Sequence, residues 1–299
     1  MKLLSDSSKS FYASVVSLVL PMALQNLINV AVSAADVIML GNVSETALSG
    51  ASLAGQIQYI MTLIFFGITS GACVLTAQYW GKGETDVIEK ILGIALKFSL
   101  VTALLFTVVS MLFPVQCVSV FTNEKDVIEE GAKYLRILAI SYIFTSLTTI
   151  YLNTMRSVER VAISTVVYLS SLVCNISLNW ILIFGKFGFP EMGITGAAIA
   201  TCISRILEFI IVFWYSNKKN TPVHFKLKYV LRHDKILFND FLKYSLPVMI
   251  NELAWGAGTA MNSLIIGHMG KSAAAANSVA QVTRQLSTVV AFGISNAAA

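Results

Sequence analysis

Apolar runs of about 20 to 25 residues, separated by short polar stretches, recur along the whole chain, a length that suits helices crossing a hydrocarbon core about 30 Å thick. Seven complete spans and one that runs to the end are predicted, at 12–38, 53–79, 91–113, 134–155, 162–184, 194–215, 241–266 and 276–299. The ten-residue alternation of an outer-membrane barrel is absent. The first span is unusual because Leu20 to Gly41 is apolar enough for a membrane yet carries Gln25, Asn29, Ser33 and Asp36. At 100° per residue these four fall within roughly 80° of one another, giving one polar face that ends in a carboxylate. Pro21, at the start of the stretch, removes a helical hydrogen bond and marks a bend point.

The same pattern returns 226 residues later. LPVMINELAWGAGTAMNSLIIG, Leu246 to Gly267, aligns without a gap with LPMALQNLINVAVSAADVIMLG, Leu20 to Gly41. Pro21/Pro247, Gly41/Gly267, Ser52/Ser278, Thr62/Thr288, Phe66/Phe292, Gly67/Gly293, Ile68/Ile294 and Ala72/Ala298 are identical pairs in this register. Six spans separate the starts of the two copies, so both cross in the same direction, as in transporters built from parallel repeats about an axis along the membrane normal. The second copy stops opposite Cys73. The chain is therefore expected to be a fragment of a twelve-span protein, short by on the order of 150 residues.

Composition adds an orientation. A mean hydropathy of +0.73, with 56% hydrophobic and 12% charged residues, excludes an ordinary soluble globule, whose charged fraction is about 25%. The N-terminal run is too long and too polar for a cleaved signal peptide. With a cytoplasmic N-terminus, thirteen loop Lys and Arg face the cytoplasm, among them Lys2, Lys9, Arg156, Lys219 and Arg232, and five face outward. This matches the positive-inside bias and accounts for the net charge of +5 without nucleic acid. The basic stretch 216–240 divides an N-lobe, 1–215, from the start of a C-lobe, 241–299, and can lie against anionic headgroups. The four cysteines lie in or beside spans without metal-ligand spacing, as buried free thiols.

Few residues could carry chemistry. An intramembrane carboxylate is costly and functional by default, so Asp36 is either a cation-binding acid inside the bundle or a boundary residue wetted by water. Asn175 and Asn179 share one face of span 5 at i and i+4, a pair that by itself suits interhelical glue. In span 7, Glu252, Trp255, Thr259 and Asn262 share a face; an acid beside an indole suits a cationic substrate or a proton, and an ion pair between Glu252 and Arg284 is the structural alternative. Arg205 and Glu208, at i and i+3, are expected to neutralise each other. His224, His233 and His268 fall in loops, so no constellation for an intramembrane enzyme forms, and the parallel repeat argues against a seven-span receptor.

Taken together, VIMLG after Asp36, QYWGKG at Gln78 to Gly83, the Arg156 loop, NISLNWILIFG from Asn175 and GFPEMGITGAAIAT from Gly188 resemble the multidrug and toxic compound extrusion (MATE) transporters. The resemblance covers nearly the whole chain. It implies an all-α integral membrane protein with two parallel six-helix repeats, of which about eight helices are present. It also implies a V-shaped cavity between two lobes and export of small molecules against an inward H+ or Na+ gradient, with no cofactor. In that family the N-lobe cation site uses an Asp on span 1, an Asn and an Asp on span 5 and a Thr on span 6. These positions fall on Asp36, Asn175, Asn179 and Thr201, and Asn179 departs from the pattern by carrying no charge. A sodium site there is expected to be weakened, leaving Asp36 as the acid that titrates. The resemblance further implies bending of span 1 near Pro21, with Pro247 its repeat partner, and leaves Gln25, Asn29, Glu252 and Trp255 as substrate or proton candidates. The expected protein is a monomeric, multi-pass cell-membrane antiporter. A lipid-linked oligosaccharide flippase of the same superfamily is the nearest rival, and it would need more cavity cations than Arg205 and Arg284 to hold pyrophosphate.

Overall fold

Helix signals place the elements of the computed structural model. It describes residues 2–298 except 219, 232 and 233, with side chains from Leu20 onward except at 227, 231, 289, 290 and 292–298. Lys219, Arg232 and His233 therefore lie outside the described residues, as do the side chains of Lys2, Lys9, Phe292, Ile294 and Ala298. In chain order the helices are α1 (Lys2–Gly41), α2 (Glu45–Gly81), α3 (Thr85–Leu112), α4 (Pro114–Ser119), α5 (Lys125–Leu138) and α6 (Ser141–Ser157). They continue with α7 (Ala162–Ile183), α8 (Gly193–Ser216), α9 (Leu227–Leu231), α10 (Lys235–His268) and α11 (Lys271–Ala298). Ser44 caps α2 by accepting from the Ala47 amide at 3.0 Å, and Asp234 caps α10 through Leu237 at 3.3 Å. Such caps satisfy amides that a helix start leaves open.

Five helices among the described residues are long and apolar enough to cross a membrane: the Leu20–Gly41 part of α1, then α2, α3, α7 and α8. A sixth span is formed if the bent pair α5–α6 counts as one. The predicted fourth span, 134–155, is thus not one straight helix. It starts at Lys125 and bends by 55° between Leu138 and Ser141. No proline or glycine stands at that bend. Instead Thr107 Oγ1 donates to the Ala139 carbonyl at 3.0 Å and Ser141 Oγ to the Leu138 carbonyl at 2.6 Å, hydroxyls that draw carbonyls off the helical ladder. α10, predicted as a span, falls short in hydropathy, since its middle carries Asn251, Glu252 and Asn262.

The repeat is visible as geometry. α11 starts at Lys271, 226 residues after the Glu45 that starts α2. α2 packs along α10 and α1 along α11, so each copy's first helix meets the other copy's second. A methyl group placed on Gly71 would strike Ser245, on Gly67 would strike Met249, and on Gly256 would strike Leu63. The numbers run in opposite senses, so α2 and α10 are antiparallel and meet backbone to backbone, the close packing that small residues permit in membranes.

The 216–240 stretch folds back onto the N-lobe. Glu89 in α3, only 5% exposed, accepts from Lys226 Nζ at 2.5 Å and from the His224 amide at 3.0 Å. Tyr151 of α6 donates to the Val223 carbonyl at 3.0 Å. Tyr229 of α9 donates to Asp86 at 2.5 Å, and the α9 backbone lies against Gly93, where a Cβ would meet the Tyr229 carbonyl carbon at 2.6 Å. Part of this segment's positive charge therefore answers N-lobe acids.

At the other end the two hairpins are clasped to the α4–α5 region. Lys271 Nζ meets Asp126 Oδ2 at 3.0 Å, the Lys271 amide donates to Glu124 Oε1 at 3.1 Å, and Ser49 donates to the Lys271 carbonyl at 2.7 Å. Ser272 donates to Glu45 at 2.9 Å. Gly270 makes the turn possible with φ +112, a conformation that favours glycine. Beneath the polar clasp, Leu53, Phe121, Val127 and Ala274 form a small buried cluster. The Lys271 ammonium holds the Asp126 carboxyl below its usual range, and Asp126 in turn pushes the Lys271 amine up.

Two outcomes are expected. Gly71→Ala should destabilise the chain by about 1 to 3 kcal/mol, the usual range for overpacking, as a lowered thermal midpoint in detergent. Gly81→Ala, with open space around its Cβ position, should not; equal effects from both would refute the close α2–α10 contact. For the clasp, a depressed Asp126 pKa means its contribution is fully present above the ordinary Asp value of about 4 and is lost as pH falls through the lower folded value. Spin labels at Asn42 and Met269 should therefore show a longer or broader distance in strong acid and in Asp126→Asn, and an unchanged distribution in both would disprove the clasp.

Candidate cation and substrate site

α7 and α8 form an antiparallel hairpin whose connection turns through Gly185 and Gly188, both with positive φ, and α1 packs along α7. This brings four polar side chains from three helices into one chain of hydrogen bonds. Asn179 Nδ2 donates to Asp36 Oδ1 at 2.5 Å and also to Asn175 Oδ1 at 3.0 Å. Asn175 Nδ2 donates to Thr201 Oγ1 at 3.3 Å. Asn175 and Asn179 are almost fully buried, and Asn179 Oδ1 is a buried acceptor without a hydrogen-bond partner. Buried polar atoms are nearly always paired, so an orphan oxygen beside a carboxylate calls for a reason.

Two further residues act on this site, and of them Tyr134 escaped sequence reasoning. Tyr134 of α5 sits against Thr201 and close enough to Asp36 to interact through space. Arg205 acts on Asp36 at longer range while pairing with Glu208 at 2.7 Å, the mutual neutralisation expected from their i, i+3 spacing. Among the described residues no cluster of three or more His, Cys, Asp or Glu forms. A cation entering beside Asp36 would meet one carboxylate, an amide oxygen and a hydroxyl. Oxygens of this kind suit a proton or a hard monovalent cation better than a transition metal.

Asp36 also borders an open cavity of about 670 Å³ lined by α1, α2, α5, α10 and α11, within the size range of small-molecule sites. Its walls are mostly related by the repeat: Ser52 and Ser278, Gln58 and Arg284, Tyr59 and Gln285, Thr62 and Thr288 all line it. Trp255 and Thr259 contribute from α10. The α11 contribution had a sequence signal, since Gln281, Arg284, Gln285 and Thr288 stand at i, i+3, i+4 and i+7, one polar stripe on a helix.

The other candidates separate. Gln25 does not reach the cavity: it is 1% exposed, accepts from Arg156 Nη2 at 2.5 Å and donates to Thr165 Oγ1 at 3.0 Å. Arg156, expected in a cytoplasmic loop, occupies the last turn of α6 and turns inward to this contact. Asn29 is exposed and outside the cavity, whereas Ser33 lines it. Glu252 is not among the lining residues. It acts with Arg284 on Tyr59 through space, but no Glu252–Arg284 ion pair occurs among the described residues. Pro21 and Pro247 lie inside unbroken helices α1 and α10.

The MatE family model matches residues 21–181, more than half of the chain. The chain is 28% identical over 282 residues to the probable multidrug resistance protein NorM of Thermotoga maritima, covering 94% of this chain and 60% of that relative. It is 28% identical over 223 residues to the probable multidrug resistance protein YoeA of Bacillus subtilis, covering 74% and 48%. It thus spans about half to three fifths of the length of these curated relatives. In fold it is similar to a solved structure described as the outward-facing conformation of a multidrug resistance MATE family transporter of the MOP superfamily, with a TM-score of 0.79 at 20% identity over 95% of this chain and 62% of that one. The all-helical architecture, the apolar spans and the family match from residue 21 in α1 to residue 181 near the end of α7 agree: the chain is a multi-pass membrane protein and belongs to the MATE family of transporters.

Proposed function

We propose that the full-length protein is a secondary antiporter that exports cationic or amphiphilic toxic compounds in exchange for H+ or Na+, with Asp36 as the coupling carboxylate. One observation carries this reading. Asp36 borders the cavity and is also hydrogen-bonded into the buried Asn179–Asn175–Thr201 chain, so a cation bound there changes charge and bonding at the cavity wall. Removing the negative charge weakens the attraction for a cationic substrate and frees the Asn179 amide to reorient. Both changes favour substrate release when the cation arrives and cation release when substrate binds, which is the exclusion that antiport requires.

The lone carboxylate supports the proton as coupling ion, and the unpartnered Asn179 Oδ1 keeps sodium as the second reading. Pro21 and Pro247 are the proposed flex points. The Gln25–Arg156 contact, one turn beyond Pro21, pins the rest of α1 to α6 and α7, so a bend at Pro21 would move the segment before it. With a cytoplasmic N-terminus, as the charge bias supports, the clasped hairpin end faces outward and the protein acts as a monomer in the lipid bilayer. Arg284 is the feature that favours a flippase of the same superfamily; a single cavity cation is a weak holder for pyrophosphate, whose recognition uses several charge-assisted bonds.

In cells expressing the full-length protein, Asp36→Asn is expected to reduce drug efflux to background while surface expression is retained. Collapsing ΔpH should stop wild-type efflux and replacing sodium with potassium should not. Wild-type efflux by Asp36→Asn would refute the coupling role, and loss of efflux on sodium replacement alone would assign sodium instead.

A further inference from the structure

The cavity is built from repeat-related walls, yet its two charged lining residues break that symmetry. Asp36 in α1 has Asn262 as its partner in the second copy, and Arg284 in α11 has Gln58 in the first. Asp36, Arg284 and Gln58 all line the cavity. Each charge therefore replaces a neutral amide, and the two have opposite sign. Asp36 is engaged by Asn179. Arg284 is exposed in the cavity wall and has no carboxylate partner among the described residues, Glu252 included. A guanidinium facing a largely apolar chamber, with Gln281 and Gln285 on the same stripe, is a ready-made fork for an oxyanion. Trp255 and Tyr59 line the cavity and offer rings to an aromatic body.

We infer that Arg284 is a specificity-determining residue that binds the carboxylate of a zwitterionic amphiphile, so that the cavity prefers zwitterions to purely cationic analogues. This rests on the proposed export function and narrows its substrate class. The same oxyanion chemistry could come from a lipid headgroup phosphate, and the test separates the two sources.

The test uses this chain in dodecyl maltoside micelles, which carry no phosphate, with zwitterionic rhodamine B and its cationic ethyl ester, which differ by one carboxylate, titrated by fluorescence polarisation. Wild type should bind the zwitterion about tenfold more tightly, the size of one charge-assisted bond. Arg284→Gln, which installs the residue found at the repeat position, should bring the two dyes within about twofold of each other, by the same arithmetic. Arg284→Glu should reverse the preference, a gain that misfolding cannot produce. An unchanged preference in Arg284→Gln would overturn the inference while leaving the cavity as a substrate site. Failure of both dyes to bind wild type would instead remove the cavity reading on which it rests. Loss of the preference on adding phosphatidylglycerol would place a headgroup phosphate at Arg284 and overturn the assignment to a solute.

Discussion

The hydrogen bond from Asn179 to Asp36 ties a single carboxylate into the interior of a helical bundle, and the arrangement of the N-lobe follows from it. A charge in low dielectric is tolerated only where fixed dipoles or opposite charges meet it. Here the dipoles come from Asn175 and Asn179, one turn apart on α7, continued by Thr201 on α8. Arg205 supplies a more distant positive field while committed to Glu208. Because α1 and α8 contribute one link each and α7 two, a change in the charge of Asp36 is felt across three helices. Since Asp36 is also part of the cavity wall, the same change is felt by whatever occupies the cavity.

The repeat separates scaffold from chemistry. Pro21 and Pro247, Gly41 and Gly267, and the helix starts at Glu45 and Lys271 are shared between copies. They produce the reciprocal packing of α1 on α11 and α2 on α10, with glycines at the closest approaches. Charge is not shared. Asp36 and Arg284 stand where their counterparts are Asn262 and Gln58, so a nearly symmetric chamber becomes electrically polar. A pseudo-symmetric frame thus carries an asymmetric pair of charges in its cavity wall.

Much of this was legible in the chain. Span lengths gave the all-helical class, and the 226-residue register gave the parallel repeat. The face carrying Ser33 and Asp36 and the i, i+4 asparagines named residues that the fold does bring together. What escaped reading depends on contacts between distant segments. Gln25 shares a helical face with Asp36, but Arg156, 131 residues away, draws it into the N-lobe, and nothing local announces that. The bend between α5 and α6 comes from the Thr107 and Ser141 hydroxyls and not from proline or glycine. The basic 216–240 stretch carries charge suited to lipid headgroups, yet Glu89 and Asp86, far away in sequence, claim Lys226 and Tyr229. The clasp at Lys271 likewise needs Glu124 and Asp126, which no periodicity connects to it.

In the proposed mechanism, one cation bound at Asp36 and a substrate bound in the cavity exclude each other. The most direct measurement is ion release on substrate binding to the purified full-length protein, followed with a pH electrode in weak buffer and a sodium-selective electrode in parallel. Wild type is expected to release one monovalent cation per substrate bound, and Asp36→Asn to bind substrate with no release. Equal release from both proteins, or substrate binding by wild type with no ion released, would contradict it.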